Sequence, residues 1–376
     1  MFAVAVGWQV YALTRDPLAL GIVGLSEFLP FVCLVLVGGH VADRVDRRRV
    51  LLAMWTIDML GLSCVCLITW AHVTVVWPIY LAIGVFGTTR AFWAPSLQAL
   101  VPNLVPIEEF PRALAVNSTL FQAAVIVGPA LGGALFLLGP EVVFGACAGL
   151  FLLIILIGSG LPPQRATPPI DPRQEAGSRF LEGLRHVVQH RAVLGVISLD
   201  LFAVLFGGAT ALLPIYASDV LQIGPVGLGV LRTAPGAGAA LTAALLTVHP
   251  INRHAGAVMF GGVGLFGICT LVFGDSRSFA LSLAALFVLG CGDMLSVYIR
   301  GILVQLRTPD AIRGRVSAIS SMFIGASNEL GEFESGVTAR WFGAVRAVLL
   351  GGILTLSVVG SWMGLFPELR KLDRLR

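Results

Sequence analysis

Ten charged side chains stand inside apolar runs long enough to sink them into lipid: Glu27, Asp58, Arg90, Asp200, Arg232, Asp293, Arg300, Glu329, Glu332 and Glu334. A charge at the centre of a membrane helix costs roughly 2.5–3.5 kcal/mol on insertion scales, so such groups face protein or water and mark paths for protons or solutes. Seven of the ten are carboxylates. Loss of water favours the protonated form of a carboxyl, so the chemistry on offer is reversible proton binding. Three of them crowd into Asn328-Glu329-Leu-Gly331-Glu332-Phe-Glu334-Ser-Gly336. Glu329 and Glu332 share a helical face, three residues apart, and Glu334 points elsewhere. The coupling proton is therefore expected on Glu329 or Glu332, against the plainer reading that they hold two helices together.

No other chemistry is assembled. The six His are scattered at His40, His72, His186, His190, His249 and His254, and no nucleophile or metal constellation emerges. All six Cys lie in apolar stretches, and Cys64 and Cys66 are too isolated for a zinc site. There is no Gly-x-x-x-x-Gly-Lys phosphate loop, which argues against a nucleotide-driven pump. The expectation is neither an enzyme nor a metal, cofactor or nucleic-acid binder; its partners are protons, a small-molecule substrate and the bilayer.

The elements that position these charges follow from composition. Hydrophobic residues make up 57% of the 376 and charged residues 12%. Ordinary soluble chains carry about 25% charged residues, so the fitting solvent is lipid. One crossing takes roughly 20 apolar residues, which allows about a dozen. The apolar runs predict crossing 1 over 1–14, crossing 2 over 19–42, crossing 3 over 49–71, crossing 4 over 76–100, crossing 5 over 111–138 and crossing 6 over 142–160. A Pro-rich stretch, 161–178, and a short charged helix, 179–190, lead into the second half. There crossing 7 spans 192–217, crossing 8 225–248, crossing 9 255–274, crossing 10 278–306, crossing 11 313–340 and crossing 12 344–366. With the loop after crossing 2 inside, 18 loop Arg and Lys fall inside and four (Arg15, Arg277, Arg340, Arg346) outside. By the positive-inside rule, both termini and the 161–191 connector are cytoplasmic.

Sliding the chain against itself by 203 residues matches Pro106 to Pro309, Arg112 to Arg315, Ala115 to Ala318, Ser118 to Ser321, Ala123 to Ala326, Gly128 to Gly331 and Gly133 to Gly336. Crossing 5 thus repeats as crossing 11, and the period is six helices. Halves related by an axis along the membrane normal are a known transporter plan. The expected fold is all-α and polytopic: two six-helix bundles with pseudo-twofold symmetry, residues 1–160 and 192–376. The offset also carries crossing 7 onto a crossing 1 that begins before Met1, so the first half of crossing 1 is expected to be missing.

Two local patterns carry mechanism. Gly39-His-Val-Ala-Asp43-Arg44-Val-Asp46-Arg47-Arg48-Arg49 fills the turn between crossings 2 and 3. Asp43 ends crossing 2 and is suited to the dipole-positive start of a helix, such as crossing 11 near Arg313 and Gly314. In crossing 5, Gly128-Pro129-Ala130-Leu131-Gly132-Gly133 sets Gly128 and Gly132 four apart on a flat face beside a proline bend. Crossing 8 offers Pro235-Gly236-Ala237-Gly238 as a matching face, so a hinge between crossings 5 and 8 is expected.

These patterns resemble the major facilitator superfamily. The first is similar to its loop Gly-x-x-x-Asp-Arg-x-Gly-Arg-Arg, with Asp46 where the family has Gly. The second is similar to the antiporter motif Gly-x-x-x-Gly-Pro-x-x-Gly-Gly, with Ala124 for the first Gly. Only Arg90 matches the family's crossing-4 motif. The stretches Asn328–Gly336 and Ala94–Pro106 look like the bacterial branch that holds the enterobactin exporter and macrolide efflux pumps. The resemblance implies that Gly39, Asp43, Arg44, Arg47 and Arg48 act in gating, and Gly128, Pro129, Gly132 and Gly133 in the hinge. It implies that crossings 1, 4, 7 and 10 line a central cavity, placing Arg90, Asp200 and Asp293 on the pathway, with Arg90 and Asp293 opposed. The function it implies is proton-driven export of a small amphipathic molecule across a bacterial inner membrane, by a monomer. An importer on the same fold, a membrane enzyme and an inactive truncated transporter are the competing readings.

Overall fold

The structure, a computed structural model, describes residues 1–100, 104–106, 108–162, 176–251, 253–309 and 312–373, and side chains within these except at 99, 111 and 176–180. Most of the predicted Pro-rich connector, with Arg165 and Arg173, lies outside that range, as do Arg374 and Arg376 and the side chain of Arg179.

The described chain is helical: α1 Phe2–Thr14, α2 Pro17–Arg44, α3 Arg47–Trp70, α4 Trp77–Leu100, α5 Phe110–Leu135, α6 Pro140–Ser159, α7 Ala176–Gln189 and α8 Arg191–Phe206. Then follow α9 Leu213–Ile215, α10 Gly224–Val248, α11 Ala255–Asp275, α12 Phe279–Arg307, α13 Arg313–Phe342, α14 Ala344–Leu365 and α15 Pro367–Arg370. Eight helical segments among the described residues are long and apolar enough to cross a membrane. Prolines open α2, α6 and α10, where a missing N–H breaks no helical bond. The tight turns into α6 and α14 each hinge on a glycine with positive φ, Gly139 at 121° and Gly343 at 84°, a backbone that a β-carbon disfavours.

The chain forms two compact units, Met1–Arg15 with Ile22–Gly177, and Asp16–Gly21 with Ser178–Arg376. In the first, α3 packs on α4 and α6, and α1 on α5 and α6, around Val4, Val10, Leu62, Ile83 and Phe144. In the second, α12 is held between α10 and α11, while α8 packs on α13 and α14 over Val196, Leu199, Ile299 and Val316.

The repeat is visible inside each unit. Gly128 and Gly132 of α5 meet the backbone of Met1; a β-carbon on Gly132 would lie 2.7 Å from the Met1 Cα. Gly331 of α13 meets Val204 and Leu205 of α8, with a β-carbon 3.1 Å from the Val204 oxygen. Gly128 to Gly331 and Met1 to Val204 are both separations of 203, so each half closes the same crossing pair with the same glycine.

Crossing 7 departs from its predicted single helix. α8 stops at Gly207; a 3-10 turn (Ala209–Leu212), α9 and a π-turn (Tyr216–Val220) complete the span. A β-carbon on Gly208 would meet the Ser335 hydroxyl at 2.3 Å and the Gly331 oxygen at 2.9 Å, so the break brings α13 close. The Ala203 carbonyl, near the break, accepts a hydrogen bond from the buried Thr355 hydroxyl at 3.1 Å. Non-helical backbone at membrane depth persists where protein buries it or it lines a cavity.

Candidate coupling site

Asp293 stands midway along α12, and Ser296 and Arg300 follow on the same face at spacings of three and seven. Close backbone approaches on both sides fix that face. A β-carbon on Gly290 would lie 2.0 Å from the Pro235 oxygen of α10, and one on Gly292 2.7 Å from the Gly262 oxygen of α11. Only glycine permits this, and Val263 and Phe266 of α11 are thereby drawn up against Asp293. From α8, Asp200 projects to meet them. Its Oδ1 pairs with Arg300 Nη1, and both side chains are almost fully buried, at 7% and 5% exposure. Asp200, Ala203, Val204, Val263, Phe266, Asp293 and Ser296 enclose a cavity of about 10 Å³, the room of a single water.

The electrostatics follow from counting. The one guanidinium is taken up by Asp200, and Asp293 stands beside Asp200 at the cavity, in a medium that penalises net charge. The Asp200–Arg300 pair is neutral by itself. An ionised Asp293 leaves the cluster at −1, and one proton returns it to zero.

The turn between α2 and α3 is built as a brace. Asp46, standing where glycine was expected, has φ −55° and caps α3 by accepting the Arg48 N–H at 3.0 Å, so no left-handed backbone is needed. The Arg47 side chain is buried and donates to the Ala42 oxygen at 3.4 Å. Arg48 reaches α6, donating to the Gly158 oxygen at 3.3 Å and to that of Ser159. A cation on the dipole-negative end of a helix is favoured. Asp43 and Arg44 are exposed.

A family model described as transmembrane secretion effector matches residues 1–375. The chain belongs to this major facilitator superfamily family. Similar proteins include the uncharacterized MFS-type transporter YfiS of Bacillus subtilis (strain 168), 26% identical over 371 residues, 93% of this chain and 84% of that protein. The enterobactin exporter EntS of Escherichia coli O139:H28 is 27% identical over 367 residues, 94% of this chain and 81% of that protein. Among solved structures, the nucleoside transporter NupG superposes with TM-score 0.73 at 17% identity, over 97% of this chain and 94% of that one. A POT family transporter in complex with 5-aminolevulinic acid gives 0.74 at 10%, over 98% and 93%. These likenesses establish the fold of a multi-pass major facilitator transporter.

In this family member the other predicted charges are dispersed. Arg90 of α4 is engaged by Glu27 of α2 at 2.7 Å and lies over the Phe31 ring at 5.0 Å. Asp58 of α3 is fully buried against Thr89. Glu332 of α13 faces Arg232 of α10 at 4.0 Å, and Glu334 accepts from Thr338 at 2.8 Å. Glu329 is buried, two residues before the Gly331 contact with α8. The three α13 carboxyls therefore have separate surroundings. The approach of α13 to the start of α2 is made by other residues, Gly336 on Gly21 and Arg340 on Asp16 at 3.2 Å.

The glycines of these patterns differ in what they meet. Gly39 has open space where a β-carbon would stand, whereas one on Gly38 would lie 1.9 Å from the Ala91 oxygen; Gly38 is the glycine that α4 requires. Gly238, expected to face crossing 5, is taken up by α12, where a β-carbon would lie 2.0 Å from the Phe287 oxygen. Pro129 does lie inside α5, and Gly133 is buried beside Gly132. Ser296, which the charge pattern does not single out, lines the cavity on the face that Asp293 and Arg300 share.

Proposed function

We propose that this transporter exports a small amphipathic molecule in exchange for protons, and that Asp293, beside the Asp200–Arg300 pair, binds the coupling proton. The observation that carries the reading is the second carboxyl at a site with one guanidinium, set next to a broken crossing. Such breaks accompany substrate and ion sites in transporters. Similarity to a protein named as an exporter favours the outward direction. Glu332, already facing Arg232, is less suited to the role, and Glu329 is the alternative carrier. Gly39, Asp43, Arg44, Arg47 and Arg48 act in gating, and Gly128, Pro129, Gly132 and Gly133 in the hinge.

We also place the protein, as a monomer, in a bacterial inner membrane, with both termini and the basic loops in the cytoplasm. Ionic contacts agree with the alternation this needs. Arg48 with the end of α6, Glu182 with Arg315, and His254 with Asp373 each join segments assigned to the inside. Asp16 with Arg340 joins two assigned to the outside.

The test is efflux of ethidium from vesicles of defined lipid carrying the purified full chain, with and without an imposed proton gradient. Asp293→Asn is expected to abolish the gradient-driven component while ethidium exchange without a gradient persists. Full gradient-driven efflux in Asp293→Asn with loss in Glu329→Gln moves the proton to α13; full efflux in both removes proton coupling through either group.

A further inference from the structure

Asp58 is the twelfth of the 24 residues of α3, in the middle of a membrane-crossing helix, and is 0% exposed. Its Oδ1 lies 2.6 Å from the Thr89 hydroxyl of α4, and its Oδ2 has no hydrogen-bond partner among the described residues. The elements packed around it carry few titratable groups. On α4 the Arg90 guanidinium turns to Glu27, and Tyr80 stands in the first turn; α6 offers Glu141 and Cys147. Asp58 forms no ion pair with any described residue.

The Thr89 hydroxyl is also 2.9 Å from the Phe86 oxygen one turn back. A threonine hydroxyl carries one proton, so it cannot donate to both acceptors. When it bonds its own helix, as a threonine in a helix does, the 2.6 Å contact needs a proton from the other side, and only the Asp58 carboxyl can supply it. When it turns to Asp58, an ionised carboxylate is left in an apolar interior with one neutral donor and no cation, an arrangement that desolvation strongly opposes.

We propose that Asp58 is a proton-binding site of the first unit, a neutral carboxylic acid that donates to Thr89 while Thr89 donates to Phe86. It is separate from the cluster around Asp293. Thr89 thus accepts the proton's hydrogen bond, and Oδ2 is left as an uncharged carbonyl oxygen, which costs less unpaired than a carboxylate oxygen would.

The test is infrared spectroscopy of the purified full chain in lipid at neutral pH, in light and heavy water. The spectrum of wild type minus Asp58→Asn is expected to contain the carbonyl stretch of a protonated carboxyl, shifted by deuterium. A difference holding only carboxylate stretches overturns the proposal. Should Asp58→Asn fail to fold, Thr89→Val serves instead: loss of the acceptor must displace the protonated band, and an unmoved or absent band is a refutation. Asp293→Asn leaves the Asp58 band in place, so failure of the efflux reading and failure of this one are told apart.

Discussion

The two units meet the same difficulty, ionisable groups at membrane depth, in opposite ways. The second unit gathers three of them, Asp200, Asp293 and Arg300. Asp200 and Arg300 neutralise each other in a buried interior, and Asp293 is left beside them at a small cavity. The first unit separates them. Glu27 and Arg90 pair where each side chain is about one-third exposed (33% and 34%), while Asp58 stands alone against a hydroxyl. Repetition of six helices has therefore preserved the packing, down to the glycines that face Met1 and Val204, without preserving the charges. Packing is constrained everywhere by close-fitting surfaces. A charge is constrained only by whether its neighbours neutralise it, so it can migrate between helices once a partner migrates too.

If the second unit truly depends on mutual neutralisation, Arg300→Met has the largest effect. It strands Asp200 in a buried site, and loss of one partner of a buried pair typically costs about 3–5 kcal/mol. Thermal unfolding of the purified protein should show a strong loss. Adding Asp200→Leu should recover most of it, because replacing both partners with apolar groups is often neutral. A double variant no more stable than the single one would mean that Arg300 is held by something other than Asp200, and the contrast between the units would fail.

The first unit should respond weakly to the corresponding change. Glu27→Gln removes the partner of Arg90, but a pair this open is screened by water and is worth about 0.2–1 kcal/mol. Arg90 keeps its place over Phe31, a further contact that does not depend on Glu27. The melting difference from wild type should be small at low salt and smaller still at high salt. A loss as large as that of Arg300→Met would show that Glu27 and Arg90 are desolvated in the working protein.

The sequence displayed these elements unevenly, for physical reasons. Helix positions were legible because lipid demands long apolar runs, and α11 at Ala255–Asp275 lies where 255–274 was expected. The break at Gly207–Gly208 was not, because the run 192–217 is apolar throughout and its glycines resemble packing glycines. The charged residues were all visible as exceptions to apolarity. Their partners were not, since pairing depends on which helices touch. Arg90 was visible as a charge in an apolar run, but its pairing with Glu27 depends on α2 and α4 touching. The spacing from Asp293 to Arg300 was readable as one face, but only the approach of α8 shows that Asp200 completes it.

Outside the lipid, the connector offers a third way of handling a titratable group and the smallest effect. His186 of α7 is buried, stacked on His190 at 3.8 Å, with its Nε2 lacking a hydrogen-bond partner among the described residues. Burial pushes its pKa below the ordinary histidine value, and the neighbouring His190 pushes the same way; the Arg307 backbone opposes them. Below the ordinary value the undocked helix therefore binds more protons than the docked one. Docking is fully favoured above that value and weakens as pH falls through it. Hydrogen exchange in α7, corrected for the intrinsic pH dependence, should be a few-fold faster at about pH 5.5 than at about pH 7.5. His186→Gln should flatten that difference while leaving the Glu182–Arg315 contact to hold α7 on α13. An unchanged pH response in His186→Gln would show that His186 is not the group whose protonation loosens α7.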